Sequence, residues 1–490
     1  MAGKEATAPG GSAAGIKFGT SGWRAIIADE FTFANVRRVV AAIADHVRER
    51  KEAETSIVSA NKKPTLIIGH DTRFFSEEFS RAAADVLRSR GLRVLLCDAA
   101  APTPAIAYEI LRRKTDGAIN FTASHNPAEY HGLKFSGADG GPALPAATKD
   151  IEARVARMSG VPQPPHREDG AGIESFSPRD PYLKRLTELV DFGRIRAAKL
   201  NMVCDPLHGA GAGYLDRILA DQGITPQTIR AERDVLFDGT GPDVSEENLA
   251  PLAQAMKDCG AQVGLATDGD ADRFGILDEG GAFVQPNHIL ALLYDYLVET
   301  RGWKLGAARS VATTHLLDAV ARHYGVEIYS TPVGFKYVGE LIKKDKIALG
   351  GEESAGMSIR GHVPEKDGIL ACLLVAEMIA ARRATIAEQL RALFARIGTE
   401  CWPLRVNLHL DAEVKARVVE RLKKDRREFL GRKVETLDRT DGAKFVFAGG
   451  EWALMRLSGT EPLLRLYTEA ASLKASQRLA EEAKRWILEN

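Results

Sequence analysis

Apolar residues recur at helical spacing through residues 33–51, where Val36, Val39, Val40, Ile43 and Val47 form one stripe. A short apolar run at residues 66–69 predicts a buried strand. Residues 79–90 predict a helix closed by Gly91, residues 93–97 a strand, residues 103–112 a helix, and residues 117–121 another strand. The alternation resumes further on. Strands are predicted at 200–204, 263–266, 310–314, 327–329 and 348–350. Helices are predicted at 287–300, 316–324 and 369–381, with an amphipathic helix at 475–490. Strand–helix alternation of this kind argues for α/β units with mixed or parallel sheets.

The pattern breaks at residues 158–178, a stretch rich in Pro, Gly and charge that reads as a linker. The character of the chain changes again near residue 400, where short strands alternate with charged helices. The expected division is a disordered tail at 1–15 and units at 16–160, 180–284, 285–399 and 400–490. Composition adds little to that picture but excludes several classes. With 66 Lys+Arg and 66 Asp+Glu in 490 residues, the net charge of zero gives no electrostatic case for nucleic acid or an anionic membrane. The five cysteines form no C-x-x-C pair, which argues against a zinc ribbon or disulfide framework and fits a cytoplasmic setting. No window approaches a membrane-spanning length of apolar residues.

Candidate chemistry lies in the loops. The Thr-Ala-Ser-His-Asn-Pro stretch at 122–127 follows a predicted strand and presents the Ser124 hydroxyl, a potential covalent carrier of a transferred group. Lys134 sits between apolar neighbours ten residues on, as a partly desolvated acid or base or as a solvated surface lysine. Gly19 and Gly22 turn the backbone ahead of Arg24, whose guanidinium is a fork of anion donors. The glycine cluster at 209–213 fails the G-x-G-x-x-G spacing, because Tyr214 or Asp216 stands where the third glycine belongs. It reads as a tight strand-to-helix turn, and no P-loop sequence occurs. Asp268, Asp270 and Asp272 alternate in a glycine-containing loop and suit one hard cation. An EF-hand reading fails, since Arg273 occupies the glycine position and the flanks read as strands. The Gly-Glu-Glu-Ser loop at 351–354 offers carboxylates and a hydroxyl to sugar hydroxyls or to solvent. Arg456, Ser458, Gly459, Thr460 and Arg465 make a phosphate cradle.

Together, the serine loop, the tri-aspartate loop, the Gly-Glu-Glu-Ser loop and the arginine-bearing loop, in that order, resemble the α-D-phosphohexomutase superfamily of the phosphoglucomutase/phosphomannomutase type, over nearly the whole chain. The resemblance implies three similar mixed α/β domains plus a smaller α+β C-terminal domain around a central cleft. It implies that Ser124 is the phosphoserine and joins Asp268, Asp270 and Asp272 around Mg²⁺. Lys134 would be the general acid or base, with Arg24 and His125 supporting transfer. Arg273, Lys336, Glu352 and Ser354 would contact the sugar phosphate, and Arg456, Ser458, Gly459, Thr460 and Arg465 would grip the phosphate that stays put. The implied reaction interconverts hexose 1-phosphate and hexose 6-phosphate, foremost of glucose, with a hexose 1,6-bisphosphate as intermediate and activator. The implied partners are small sugar phosphates, in a monomer or homodimer. Competing readings are a phosphotransferase that releases the bisphosphate, a phosphomannomutase or phosphoglucosamine mutase, and a non-catalytic Ca²⁺ or sugar-phosphate binding protein. Ala128 and Ala355 depart from the residues common in the family, and the second bears on sugar preference.

Overall fold

The computed structural model describes residues 16–54, 63–163, 172–457 and 463–489. The tail expected at 1–15 lies outside the described residues. Four sheets follow one another along the chain.

The first contains β1 (Trp23–Ile26), β2 (Thr65–His70), β3 (Arg93–Cys97), β4 (Gly117–Phe121), β5 (Tyr130–Gly137) and β6 (Ile173–Phe176), in spatial order β1-β5-β4-β2-β3-β6. Strands β3, β2 and β4 run parallel, and β5 returns antiparallel to β4. Strand alternation divides the core between the two faces of this sheet. Leu66, Ile68, Ile119 and Phe121 pack under the helices Phe33–Glu54 and Ser76–Ser89, while Ile67, Leu95 and Ala118 pack under Ile106 and Ile110 of the helix Thr103–Arg113.

The second sheet contains β7 (Met202–Asp205), β8 (Gln227–Thr228), β9 (Val263–Thr267), β10 (Phe274–Asp278) and β11 (Ala282–Phe283). The third contains β12 (Gly306–Ser310), β13 (Ile328–Thr331), β14 (Ile347–Glu352) and β15 (Gly356–Ile359). These two sheets share one apolar core, because the helices Pro286–Arg301 and Gly368–Arg382 are buried over most of their circumference. The fourth sheet is antiparallel throughout: β16 (Trp402–His409), β17 (Glu428–Phe429), β18 (Arg432–Asp438), β19 (Ala443–Phe447), β20 (Trp452–Leu457) and β21 (Leu463–Ala470). The helices Ala412–Leu422 and Leu473–Leu488 supply its core partners. No helix among the described residues is long and apolar enough to cross a membrane.

Two sequence expectations need correction. The strand expected at 310–314 is β12, which ends at Ser310, and Thr313 N donates to Ser310 O (3.1 Å) in the turn beyond it. Val311 and Ala312 carry the apolar signal, but Gly306, Ala307 and Ala308 fit the crowded position between β13 and β14. The linker expected at 158–178 contains β6, which pairs parallel with β3 and closes the edge of the first sheet. Within β6 only Phe176 is buried, so the strand carries no core periodicity.

Glu377 joins the shared core electrostatically. It is fully buried and accepts from Tyr296 Oη (2.6 Å), Arg301 Nη2 (2.7 and 2.8 Å) and the Asp191 amide (2.9 Å). Removing one partner of a buried pair leaves the other uncompensated. Glu377→Ala is expected to cost about 3 kcal/mol and lower the calorimetric unfolding temperature by several degrees. An unchanged transition would show that these bonds do not hold the two units together.

Candidate active site

The link between β4 and β5 carries Ser124. Its side chain is fully buried and its backbone is left-handed, with φ 53°. The Ser124 amide donates to Thr122 Oγ1 (2.8 Å), and its hydroxyl donates to Asp268 Oδ2 (2.7 Å). That second bond crosses from the first unit to the second.

Asp268 stands in the hairpin between β9 and β10, whose antiparallel register pairs Thr267 with Phe274. The hairpin folds Asp268, Asp270 and Asp272 together, so that ligand oxygens from all three lie within 4.8 Å of one another, fully buried. Both flanks are strands, which disposes of an EF-hand. Concentrated burial of like charge must be compensated. Lys134, opposite Asn120 in the β4–β5 ladder, donates to Asp270 Oδ2 (2.5 Å) and Asp272 Oδ2 (2.7 Å). Lys366, just before the helix Gly368–Arg382, also donates to Asp272 Oδ2 (2.6 Å). The Thr103 hydroxyl donates to Asp270 Oδ2, and the Arg273 amide donates to Asp268 Oδ1 (3.1 Å).

The titration of Asp268 and Asp272 splits accordingly. Burial and the neighbouring Asp270 and Asp272 push Asp268 up to about 8. Burial acts against Asp272 too, but Lys134, Lys366 and Arg273 hold it far below the usual carboxylate range. Lys134 is buried, yet Asp270 and Asp272 more than offset that and raise its pKa above the ordinary lysine value. It is therefore a buried ammonium paired to two carboxylates, not the solvated surface lysine that sequence alone allows. Two further oxygens, Asp270 Oδ1 and Asp272 Oδ1, are buried without a hydrogen-bond partner. An all-oxygen donor set with orphaned carboxylate oxygens fits a hard divalent cation.

Arg24 and His125 lie within reach of the charges of Asp272 and Arg273. Arg24 Nη1 donates to Asn126 Oδ1 (2.6 Å). Desolvation, with Arg273 and Arg24 nearby, holds the His125 imidazole well below its ordinary pKa, so the ring is neutral near pH 7. Across the cleft, β14 ends on Glu352 and turns through Ala355 (φ 69°) into β15. Glu352 Oε1 accepts from the Gly334 amide (2.6 Å), which ties the sugar-type loop to the head of the helix Phe335–Lys343 that carries Lys336. Burial and the adjacent Glu353 push Glu352 up to about 7. Burial lowers the Lys336 pKa, and Glu352 only partly offsets this. Ser354 is half-buried at the tip of the same turn. Glu353 Oε2 accepts from Ser310 Oγ (2.9 Å) and Thr313 Oγ1 (3.1 Å).

In the fourth sheet, Arg456 and Arg465 are direct register partners across β20 and β21. Like charges in that position repel unless an anion lies between them. Arg456 Nε donates to Asp441 Oδ2 (2.9 Å), which also accepts from the Val333 amide (3.2 Å) of the third unit. Ser458, Gly459 and Thr460 lie outside the described residues.

Thr103 joins this site although no motif singled it out, and Asn126 and Lys366 join it although the Thr-Ala-Ser-His-Asn-Pro and Glu-Lys-Asp-Gly stretches that contain them gave them no role of their own. Lys366 had a signal in retrospect, a lysine flanked by two acids ahead of an apolar helix. Thr103 had none, because its contact with Asp270 depends on how two units dock.

The hairpin and the serine loop touch backbone to backbone. A Cβ on Gly269 would lie 2.6 Å from Ser124 O and 2.8 Å from Pro242 Cγ, closer than atoms pack. Gly269→Ala must therefore separate the hydroxyl from the carboxylates. Its expected kcat is about 100-fold lower, with the unfolding temperature little changed. Wild-type turnover in that variant would mean that the two loops need not meet.

Four family models match the chain in order: phosphoglucomutase/phosphomannomutase alpha/beta/alpha domain I at residues 15–160, domain II at 180–281, domain III at 285–397 and the C-terminal domain at 406–485. A phosphoglucomutase/phosphomannomutase from Thermococcus kodakarensis is 30% identical over 95% of this chain and 97% of its own length. A probable phosphoglucosamine mutase from Pyrococcus abyssi is 30% identical over 96% of this chain and 98% of its own. The crystal structure of a putative phosphomannomutase from Thermus thermophilus superposes with a TM-score of 0.83 at 33% identity, covering 96% of this chain and 99% of that one. With all four family domains present in order along the chain, the chain belongs to the phosphoglucomutase/phosphomannomutase family of the α-D-phosphohexomutase superfamily, whose members are intramolecular phosphotransferases.

Proposed function

We propose that this chain interconverts hexose 1-phosphate and hexose 6-phosphate, with glucose as the preferred sugar. A phosphate carried on Ser124 and a hexose 1,6-bisphosphate intermediate link the two. The observation that carries this reading is the 2.7 Å hydrogen bond from the Ser124 hydroxyl to Asp268, at the meeting point of three buried carboxylates. Asp268, Asp270 and Asp272, with a phosphoryl oxygen on Ser124, would hold Mg²⁺, which neutralises charge on the group in transit.

In the first half-reaction the sugar hydroxyl oxygen bonds to phosphorus and the bond from phosphorus to Ser124 Oγ breaks. The Lys134 ammonium gives its proton to the departing serine oxygen, and the proton released by the sugar hydroxyl restores it. Arg24 and Arg273 add positive charge around the transferring group, and neutral His125 offers a ring N–H. Glu352 and Ser354 take the sugar hydroxyls. Lys336, Arg456 and Arg465, with Ser458, Gly459 and Thr460, hold the far phosphate. The bisphosphate then turns end for end, and the second half-reaction returns the other phosphate to Ser124. Most of what such a transfer needs is positioning and charge stabilisation.

Glucose is favoured over an amino sugar by the loop at 352–354. Glu353 is engaged by Ser310 and Thr313, and Glu352 titrates near neutrality. Glu353 is thus already engaged and Glu352 is only partly ionised, so the loop lacks the free charged carboxylate that an ammonium-bearing sugar would recruit.

A panel of glucose, mannose and glucosamine phosphates, each with trace bisphosphate, should show glucose 1-phosphate isomerised fastest with no net bisphosphate. Accumulating bisphosphate would instead mark a transferase that releases it, and a faster glucosamine phosphate would overturn the sugar assignment. Ser124→Ala should lose at least ~1,000-fold in kcat, and chelation of divalent cations should abolish turnover. The Glu352 carboxylate accepts hydroxyl hydrogen bonds best when ionised. Its raised pKa of about 7 therefore predicts that kcat/KM rises with pH through that value. Glu352→Gln should flatten that limb of the profile, and a retained inflection would assign it elsewhere.

A further inference from the structure

Arg73 lies behind the serine loop, fully buried, one strand away from the reacting hydroxyl. Its guanidinium gathers four carbonyls of that loop. Nη2 donates to Ser124 O (2.7 Å) and to Asn126 O, and Nη1 donates to Pro127 O (2.8 Å) and Tyr130 O (3.0 Å). Nε is 3.2 Å from Asp71 Oδ2. The loop needs such a tether, since Ser124 holds a left-handed backbone that a non-glycine residue adopts reluctantly. Only a planar fork reaches four carbonyl acceptors at once, and an ammonium cannot.

The guanidinium is itself fixed from the second unit. The Phe237 ring lies 5.0 Å from Arg73 Cζ, in cation–π range. Arg233 Nη2 donates to Arg73 O (3.1 Å), Arg233 Nε donates to Thr72 O (2.9 Å), and its other end pairs with Glu77 at 2.7 Å. Thr72 Oγ1 donates to His208 O (2.8 Å). The backbone beneath the guanidinium is thus pinned by the same unit that carries the three aspartates.

We propose that Arg73 is the positioning residue of the serine loop, and that Phe237 and Arg233 set its guanidinium so that Ser124 takes its transfer-competent geometry only when the first two units are docked. This rests on the reading that Ser124 carries the phosphate. Arg73 touches no reacting atom. Its effect passes through the carbonyl of Ser124, which is also the atom that a Cβ on Gly269 would meet first.

The test compares Arg73→Lys, Arg73→Ala, Phe237→Leu and Ser124→Ala in the full chain. Its readouts are kcat, KM, the unfolding temperature and single-turnover phosphorylation of Ser124 by glucose 1,6-bisphosphate. Arg73→Lys should lose about 100-fold in kcat while KM stays within about threefold, and single-turnover phosphorylation should slow in step. Phe237→Leu, which keeps the buried volume nearly filled, should lose about tenfold in the same pattern. Added guanidinium chloride at millimolar concentration should restore part of the Arg73→Ala rate, which a mere loss of folded protein would not allow. Full kcat in Arg73→Lys, or loss that tracks the unfolded fraction without guanidinium rescue, overturns the clamp. Full activity in Ser124→Ala instead overturns the carrier reading, so the two failures are told apart.

Discussion

Three carboxylates buried within 4.8 Å of one another form the constraint on which this structure turns. No short hairpin can bury that much like charge alone. Positive groups must be brought to it from elsewhere in the chain. Lys134 arrives on β5 of the first sheet, Lys366 comes from the approach to the helix Gly368–Arg382, and Arg273 comes from the hairpin itself. The ion pairs and the docking of the units are the same event. Local pKa values follow from it, with Asp268 pushed up and Asp272 held down although they stand four residues apart.

The hairpin is also the mechanical hub. Its backbone bonds to the first unit through Thr103 N to Asp270 O (2.9 Å), and to the third through Gly368 N to Ala271 O (3.0 Å) and Phe274 N to Ala355 O (3.0 Å). The head of the helix Thr103–Arg113, the turn at Ala355 and the long buried helix are thereby positioned relative to one another by amide hydrogen bonds, while the serine loop meets the hairpin through the Ser124 hydroxyl on Asp268. The fourth sheet stands outside this lock. It meets the third unit through Asp441 beneath the Val333 amide and through Lys444, which donates to Val311 O (2.7 Å). The paired arginines of β20 and β21 therefore stand on a separately attached unit.

The sequence was most legible where periodicity and chemistry were local. Strands β3 and β4 and the helix Leu316–Tyr324 lie where the apolar pattern places them, because each packs a simple face on a core. The legibility fails where packing, not pattern, decides. Gly306, Ala307 and Ala308 make β12 without any apolar bulk of their own, and Ile173 to Phe176 pair as an edge strand inside what reads as a linker. For the site, the serine and the three aspartates are visible because each lies within one short loop with unusual composition. Thr103, Lys366 and Arg73 are not, because their significance is a distance to a residue far away in sequence.

The amino-acid order by itself determined the four loops of chemistry, their succession on α/β units and the family they resemble, since each is a local grouping of residue types. Tertiary structure alone decided which state those groups occupy. Ser124 is an ordinary hydroxyl until a second unit sets Asp268 against it, and Lys134 would be a solvated lysine were it not buried between two carboxylates of another sheet. Charge and burial act through space, and the spacing between these residues exists only once the units have docked.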